Sequence, residues 1–238
     1  EGFIASEGKV LVSADYSQFE LRLAAALAND EALIKDFNDN VDIHTKTAAE
    51  AFDVPMNEVT KSQRRAAKVI NFGILYGMSV RGLAEAADMK YYEAKEFIEN
   101  YFELRKPIKE YLDKLLKTAR EQGYVETLYG RRRTTPDVLS SNFIVRTGAE
   151  RAAQNMPIQG TEADLMKRAM IRVDKALAER VPGAHMVMQV HDSLIIECDV
   201  TDKDAVAEIL QQEMEDVAPE LPVKLAVDVT TGQKWGEL

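Results

Sequence analysis

Short β-branched runs near both ends of the chain, with helical periodicity between them, set the predicted architecture. Lys9–Asp15 is short and β-branched, which is typical of a strand. Two more such runs, Met186–Val190 and Leu194–Cys198, meet at a tight turn and predict a hairpin, and Val223–Val229 predicts a closing strand. The intervening segments repeat their apolar residues mainly at helical spacing. The pattern predicts an α+β fold in which a helical insertion divides an antiparallel sheet.

Two places in the central region depart from a succession of simple helices. Tyr124–Leu128 and Arg131–Thr134 flank a Tyr-Gly pair and predict a small second hairpin. Farther on, Asn142–Leu177 keeps a helical pattern for many turns. Pro157 and Gly160 interrupt it, because proline cannot donate a helical hydrogen bond and glycine disfavours the helix. The sequence therefore predicts a long helix with a break near its middle.

The stretch Thr60–Gly77 predicts one helix with two unlike faces. Thr60 and Gln63 have the spacing of a capping box at its start. At about 100° per residue, one face presents two cations followed by two aromatic rings, and the opposite face packs. The first face suits a polyphosphate joined to a flat base, whereas a solvated basic face whose rings join the core is the simpler alternative. The first face comprises Arg64, Lys68, Phe72 and Tyr76, and the second comprises Ala66, Ile70 and Ile74.

Composition limits the classes of function. The 238 residues, 46% of them hydrophobic, are enough for a large core in one or two domains. The net charge of −10 argues against nucleic-acid binding through the overall field but allows a local basic groove. The single cysteine, Cys198, rules out an internal disulfide framework and favours a reducing, cytoplasmic location. No apolar run is long enough to span a bilayer. Because the chain begins at Glu1 without Met, we expect a piece of a longer or processed protein.

Two aspartates stand where a sheet can present side chains to a cleft. Asp15 ends the first strand and Asp192 lies at the hairpin turn, so their carboxylates converge if those strands are neighbours. A divalent cation relieves the repulsion between two such groups, and Mg²⁺ bound together with substrate phosphates suits these hard oxygen ligands. A pair of such ions can activate a 3′-hydroxyl and stabilise leaving pyrophosphate. The alternative is that Asp15 caps the next helix and Asp192 only makes the turn.

Other polar residues have both a structural and a functional interpretation. Glu20 either forms a capping box with Ser17 or closes the space beside a sugar. His44 either contacts a phosphate or is a structural histidine. A polar row at four-residue spacing either contacts DNA grooves and sugars or is an exposed helix face, and its members are Arg151, Asn155 and Gln159.

Three separated motifs stand in a fixed order along the chain. They are Asp15–Arg22 (DYSQFELR), Arg64–Gly77 with its spaced Arg, Lys, Asn-Phe-Gly and Tyr-Gly, and Gln189–Asp192 (QVHD). Ala149–Asp164 is a fourth segment of the same kind. Together these motifs resemble those of family A DNA polymerases, the bacterial DNA polymerase I type. Because their order and spacing also match, the resemblance covers nearly the whole chain.

The resemblance implies a role for each matching residue. The Asp15 and Asp192 carboxylates and the Tyr16 carbonyl would hold two Mg²⁺ ions. Lys68 would also assist the departure of pyrophosphate, and Glu20 would block a ribose 2′-hydroxyl, which favours deoxynucleotides. The residues expected at the incoming dNTP are Arg64, Lys68, Phe72, Tyr76, His44, Gln18 and Glu20. Those expected at the primer–template DNA are Arg151, Asn155, Gln159 and His191.

The resemblance also implies a domain organisation. We expect a right-hand polymerase fold lacking the thumb, with an antiparallel palm sheet and a largely helical fingers insertion. The palm would comprise residues 1–28 and 142–238, and the fingers residues 29–141. The reaction would be DNA-templated transfer of a nucleotide from a dNTP to a primer 3′-hydroxyl, by a protein expected to be monomeric and to have no membrane partner.

Departures from the family pattern leave other functions open. Ser193 stands where the family usually has glutamate, and Arg81 where an aromatic residue near the template is common. The thumb and the exonuclease-type domains, which lie upstream in the family, are expected to be missing. A catalytically weak DNA-binding relative is therefore one alternative. A single-subunit RNA polymerase relative is a second, although Glu20 argues against it, and a helical protein that docks through its basic helix is a third.

Overall fold

The computed structural model describes residues 2–73 and 76–238. The chain divides into two compact units. The first, here called the sheet unit, combines Glu1–Phe19 with Glu162–Leu238, and the second, the helical unit, is Glu20–Thr161. Ile74, expected in the packing row of the basic helix, lies outside the described residues. The predicted α+β class is confirmed, because an antiparallel sheet is interrupted in sequence by a largely helical segment.

Helices dominate the described chain. In chain order the strands are β1 (Lys9–Tyr16), β2 (Tyr124–Glu126), β3 (Arg132–Thr134), β4 (His185–Val190), β5 (Ser193–Asp199) and β6 (Val227–Gly232). The helices are α1 (Phe19–Ala28), α2 (Glu31–Asn38), α3 (Ile43–Phe52), α4 (Lys61–Gly73), α5 (Val80–Ala87), α6 (Tyr91–Leu104), α7 (Lys106–Gln122), α8 (Phe143–Arg180) and α9 (Lys203–Glu215). Over residues 2–73 and 76–238, no helix has both the length and the apolar character needed to cross a membrane.

The core of the sheet unit lies between its four-stranded antiparallel sheet and α9. The strand order is β4-β5-β1-β6, so β1 has a hydrogen-bonded neighbour on each side. One face of β1 buries Val10, Val12 and Ala14. The helix α9 packs against β1, β5 and β6 and buries Val206 and Ile209. Each fully buried Val or Ile stabilises the fold by about 1.5–3 kcal/mol relative to exposure, so the position of β1 is strongly held.

The single cysteine lies inside the sheet unit. Cys198, in β5, stands opposite Val10 of β1, and its side chain is buried. Burial raises the pKa of the Cys198 thiol, because the charged thiolate is poorly solvated there. The cysteine therefore behaves as a small apolar core residue.

The closing strand begins later than the alternating pattern predicted. Val223 and Leu225 are buried, but β6 begins only at Val227. From Val227 to Gly232 it pairs with β1. An extended segment and a paired strand bury the same alternate side chains, so the pattern alone does not locate the first ladder hydrogen bond.

The helical unit contains the basic helix, which begins at its predicted place but is shorter than predicted. The helix α4 is Lys61–Gly73, so Tyr76, expected on its cationic and aromatic face, is not part of it. Gln63 Oε1 accepts a hydrogen bond from the Thr60 amide at 2.9 Å, and Thr60 Oγ1 accepts one from the Gln63 amide at 3.2 Å. This reciprocal pair confirms the capping box. Ala66 and Ile70 are buried, which confirms the packing face for the part of the helix that the structure describes. The small hairpin is also confirmed, as β2 and β3 pair antiparallel.

The break predicted in the long helix is wrong. The helix α8 runs uninterrupted for 38 residues with Pro157 inside it. A proline in a helix interior costs about 3 kcal/mol, and burial of Ala153 and Ile158 on either side offsets that cost. Gly160 is explained by packing, since an added Cβ would lie 2.5 Å from Thr127 Cγ2. Local propensity is thus overridden by tertiary contacts.

Candidate active site

In the sheet unit, β1 and β5 deliver two carboxylates to one place. Asp15 is the next-to-last residue of β1 and stands opposite Ser193, the first residue of β5. Asp192 precedes β5, and its carbonyl accepts a hydrogen bond from the Tyr16 amide at 3.2 Å. The Asp192 carboxylate lies within hydrogen-bonding range of the Asp15 carboxylate. Antiparallel pairing therefore brings the end of β1 to the hairpin turn and makes the two aspartates meet.

A third carboxylate adds to the negative charge around Asp15. Asp228, on β6, stands opposite Asp15 on the other side from β5. Partial burial, the charge and hydrogen bond of Asp192, and then the charge of Asp228 raise the pKa of Asp15 to about 6. We call these three residues the aspartate cluster. In the part of the chain that the structure describes, no Lys or Arg forms an ion pair with the cluster.

The chemistry of the aspartate cluster fits a hard divalent cation. Carboxylate oxygens are the ligands that Mg²⁺ prefers, and a cation would remove the repulsion that raises the pKa of Asp15. Among residues 2–73 and 76–238, no three His, Cys, Asp or Glu side chains form a ready metal-binding group. The cluster therefore fits an ion that keeps water or substrate oxygens as its other ligands, which is usual for Mg²⁺.

Three further predicted residues lie in the sheet unit. The Tyr16 hydroxyl donates to the Met214 carbonyl at 2.6 Å, which anchors the end of β1 on α9. Gln18 has a positive φ of 52°, and its Oε1 is buried without a hydrogen-bond partner among the described residues. His191, also at a φ of 52°, lies in the hairpin turn, where its carbonyl accepts from Gln189 Nε2 at 2.7 Å. Gln18 and His191 are thus close in sequence to Asp15 and Asp192, and both lie in turns rather than in strands.

In the helical unit, a carboxylate already binds Arg64. Its Nε donates to Asp42 Oδ2 at 3.0 Å, and a terminal nitrogen donates to Asp42 Oδ1 at 3.3 Å. Thr45 Oγ1 accepts from the same Nε at 3.1 Å. Burial alone would raise the pKa of Asp42, but the hydrogen bonds from Arg64 and Thr45 lower it to about 2. Asp42 is thus an internal anion that a phosphate group would have to displace or share.

Lys68 differs from Arg64, although both lie on the same face of α4. Its side chain is exposed. Among the described residues, no carboxylate forms an ion pair with Lys68. The ammonium is therefore available to a ligand without the loss of an internal contact.

His44 and Phe72 also come together, from α3 and α4. Their ring centroids are 5.8 Å apart, and Asn71 Nδ2 lies 3.1 Å from His44 Nδ1. Burial and the positive charges of Arg64 and Lys68 lower the pKa of His44. His44 therefore serves as a neutral hydrogen-bonding group beside two cations.

Glu20 accepts hydrogen bonds from two side chains. The Tyr76 hydroxyl lies 2.6 Å from both carboxylate oxygens, and Gln159 Nε2 donates to Oε1 at 3.2 Å. The alternative capping box with Ser17 is wrong. The helix α1 begins only after Ser17, whose amide donates to the Ala226 carbonyl at 2.8 Å. The carboxylate of Glu20 is thus held in place by residues distant in sequence.

The polar row of α8 is more constrained than an exposed helix face. Gln159 binds Glu20, and Asn155 Oδ1 is buried without a hydrogen-bond partner among the described residues. Arg151 packs on Gly77, where an added Cβ would lie 2.8 Å from Arg151 Cγ. Gly77 also has a φ of +64°, which glycine adopts without strain. The Tyr-Gly pair that ends the second motif therefore fits closely against the row.

The predicted site residues divide between the two units. The sheet unit holds Asp15, Tyr16, Gln18, His191 and Asp192. The helical unit holds Glu20, His44, Arg64, Lys68, Phe72, Tyr76, Arg151, Asn155 and Gln159.

Two residues that contact or face these groups were not predicted from the sequence. Asp42 caps α3, since its Oδ1 accepts from the His44 amide at 3.1 Å, and this common role hid its pairing with Arg64. Its position two residues before His44 could have drawn attention to it. Asp228 gave a weaker signal, because it is one polar residue in an alternating strand.

Comparisons with known proteins assign the family. The chain matches the family model of DNA polymerase family A over residues 1–237. It therefore belongs to DNA polymerase family A.

The relatives share almost the whole chain. It is 48% identical over 235 residues to DNA polymerase I of Caldicellulosiruptor bescii, covering 99% of this chain and 28% of the relative. It is also 48% identical over 233 residues to the thermostable DNA polymerase I of Thermus aquaticus, covering 98% and 28%. The chain thus spans little more than a quarter of the length of these two relatives.

A solved structure shares the fold. It is the POL domain of Pol1 from M. smegmatis in complex with DNA primer-template and dNTP. The TM-score is 0.90 at 40% sequence identity, over 98% of this chain and 41% of that chain.

Proposed function

We propose that this chain is the palm and fingers of a DNA-templated DNA polymerase. It joins a dNTP to a primer 3′-hydroxyl and releases pyrophosphate. In this proposal residues 1–28 and 142–238 form the palm and residues 29–141 the fingers. The observation that carries the proposal is the meeting of Asp15 and Asp192 at the end of β1, in a chain of family A.

The aspartates are the proposed metal ligands. The Asp15 and Asp192 carboxylates, with the Tyr16 carbonyl, are assigned to two Mg²⁺ ions. When bound, such ions lower the pKa of a 3′-hydroxyl and neutralise charge on leaving pyrophosphate. The raised pKa of Asp15 supports this assignment, because like charges without cationic partners favour a bound cation.

The cations of α4 are the proposed triphosphate ligands. Lys68 is free to donate to a phosphate oxygen and to supply a proton as pyrophosphate leaves. Arg64 reaches a phosphate by exchanging or sharing its bonds to Asp42. His44, which its surroundings keep neutral, donates or accepts a single hydrogen bond at the same group.

The residues around Glu20 are proposed to select the sugar. A carboxylate fixed by Tyr76 and Gln159 cannot move aside for a ribose 2′-hydroxyl. Phe72 and Tyr76, which are both partly exposed, offer ring surface to the sugar and base. Gln18 is assigned to the same nucleotide, and its unpaired Oε1 is consistent with a polar ligand.

The remaining polar residues are proposed to contact DNA. Arg151, Asn155, Gln159 and His191 would bind the primer–template, mainly at its minor groove and primer end. The presence of primer–template and dNTP in the M. smegmatis relative supports these partners. We further propose that the protein is a cytoplasmic monomer.

Primer extension tests the proposal directly. The chain is incubated with a primer–template, the next dNTP and Mg²⁺, and addition of one nucleotide is measured on a gel. We expect extension that requires template complementarity and is lost in Asp192→Asn. Extension that ignores the template, or that survives in Asp192→Asn, would contradict the proposed mechanism.

A catalytically weak DNA-binding relative is the second candidate. Ser193 favours it, because its hydroxyl donates to the Val190 carbonyl at 2.8 Å and adds no charge to the site. Duplex binding by fluorescence anisotropy separates the two candidates. Binding without extension, in the presence of Mg²⁺ or Mn²⁺, would support the weak relative.

A further inference from the structure

We propose that Asp228 supplies a third negative charge to the metal centre. It lies on β6, on one side of Asp15, whereas Ser193 lies on β5, on the other side. The inference rests on the proposed function of Asp15 and Asp192 as metal ligands. It assigns to β6 an electrostatic role that the hairpin serine does not perform.

The strand register places Asp228 beside Asp15. In the antiparallel sheet, Asp15 pairs with Ser193 on β5 and with Asp228 on β6. Side chains directly opposite each other across such strands project from the same face, with Cβ atoms about 4.5–5.5 Å apart. Asp15 and Asp228 are both exposed, whereas Ala14 between β5 and β6 is buried. The two carboxylates therefore share the face that Asp192 also approaches.

An aspartate opposite an aspartate is unfavourable for the fold alone. Like charges directly opposite in a sheet are destabilising. No Lys or Arg compensates Asp228 by an ion pair within the described part of the chain. The pair of opposed aspartates is therefore consistent with a ligand of positive charge on this face.

Ser193 leaves the β5 side of Asp15 without charge. Its hydroxyl donates to the Val190 carbonyl at 2.8 Å, so its polar atom helps to close the hairpin turn. The Asp228 carboxylate, on the neighbouring strand β6, provides the negative charge that the β5 side lacks. The sheet thus arranges a neutral side chain, Asp15 and a second carboxylate in one row across three strands.

Asp228 acts through its charge and not as a preformed ligand. The described residues contain no ready group of three metal-binding side chains, so we assign to Asp228 the attraction of the cation through its charge, without direct coordination. At a separation of about 6 Å in a water-like dielectric, one carboxylate strengthens the binding of a divalent ion roughly tenfold. Its removal should weaken metal binding without abolishing it.

Manganese titration tests the inference. Mn²⁺ binding to the 238-residue chain is measured by electron paramagnetic resonance, with no DNA or dNTP present. Asp228→Asn should raise the Mn²⁺ dissociation constant about tenfold, and Asp228→Glu should keep it close to that of the unchanged protein. Asp204→Asn, an exposed aspartate in the first turn of α9, is the matched control and should have no effect.

The melting temperature distinguishes charge from structure. Without metal, Asp228→Asn should melt at the same or a higher temperature, because it relieves repulsion. An unchanged Mn²⁺ affinity in Asp228→Asn, or a weakening that Asp228→Glu shares, would overturn the role of Asp228 and leave Asp15 and Asp192 as ligands. If the unchanged chain bound no Mn²⁺, the proposed metal centre itself would fall.

Discussion

The sheet unit and the helical unit treat their charged residues in opposite ways. The aspartate cluster of the sheet unit gathers like charges, and partial burial together with these charges raises the pKa of Asp15. In the helical unit Arg64 is already matched by Asp42, whose pKa is lowered to about 2. The aspartate cluster keeps like charges close together, whereas Arg64 and Asp42 pair opposite charges.

The contrast has a consequence for ligand binding. A cation at the aspartate cluster gains attraction and also removes an existing repulsion. A phosphate at Arg64 must first compete with Asp42 for the same guanidinium. We therefore expect metal binding to stabilise the protein strongly. We expect competition from Asp42 to weaken nucleotide binding.

The largest expected effect comes from the aspartate cluster. Asp192→Asn should lower single-nucleotide incorporation by a factor on the order of 10³, because it removes a proposed metal ligand. The same change should raise the melting temperature of the metal-free chain, because it relieves repulsion on Asp15. Rapid-quench kinetics and calorimetry measure the two effects. A joint fall in activity and melting temperature would mean that Asp192 is structural.

Lys68 tests whether an unpaired cation can be removed without a cost to the fold. Lys68→Ala should slow incorporation about 10²-fold and leave the melting temperature unchanged, because no ion pair is lost in the described structure. Arg64→Ala is the comparison, since it should also lower the melting temperature by leaving Asp42 without its partner. Equal melting temperatures for the two variants would contradict the contrast between them.

Glu20 tests a carboxylate that the helical unit holds with hydrogen bonds. Glu20→Ala should raise the use of ribonucleotides relative to deoxynucleotides about tenfold. Tyr76→Phe keeps the carboxylate but removes one hydrogen bond, so its effect should be smaller. The ratio of incorporation efficiencies for rNTP and dNTP measures this selectivity. An unchanged ratio in Glu20→Ala would refute the assigned role.

Asp42 gives the smallest expected effect on function. Asp42→Asn keeps a capping side chain on α3 but weakens the hold on Arg64, so dNTP should bind a few-fold more tightly. Stopped-flow or calorimetric titration of dNTP measures the affinity. Weaker binding in this variant would show that Asp42 positions Arg64 and does not compete for it.

The same pair predicts a dependence of stability on pH. The pKa of Asp42 falls from 3.8 to about 2 on folding, so its contribution to stability is present above pH 3.8 and is lost as the pH falls through about 2. Acid unfolding of the unchanged chain should therefore be steeper in this window than that of Asp42→Asn.

Local signals in the sequence located most of the fold. The Thr60–Gln63 capping box, the strand before Asp15 and the hairpin around Asp192 each depend on residues close in sequence. The continuous helix through Pro157 was missed because tertiary packing decides it. The start of β6 was misplaced because a buried extended segment and a paired strand share one pattern.

The site was predictable only as far as motifs reach. Asp15, Lys68 and Glu20 stand at motif positions, so the resemblance could point to them. The contacts of Asp42 and Asp228 join segments far apart in the chain, and no spacing rule encodes them. Charge balance is a property of the folded unit, and single motifs do not carry it.

The rate at which the buried Cys198 thiol is labelled can report how often the sheet unit opens. Because Cys198 is the only cysteine in the sequence and its side chain is buried, an alkylating reagent can reach it only when the sheet unit opens. The rate of labelling thus reports how often the scaffold beneath Asp15 opens. Adding Mg²⁺ should slow the labelling of Cys198 if the ion binds the folded sheet, and no engineered probe is needed to measure that rate.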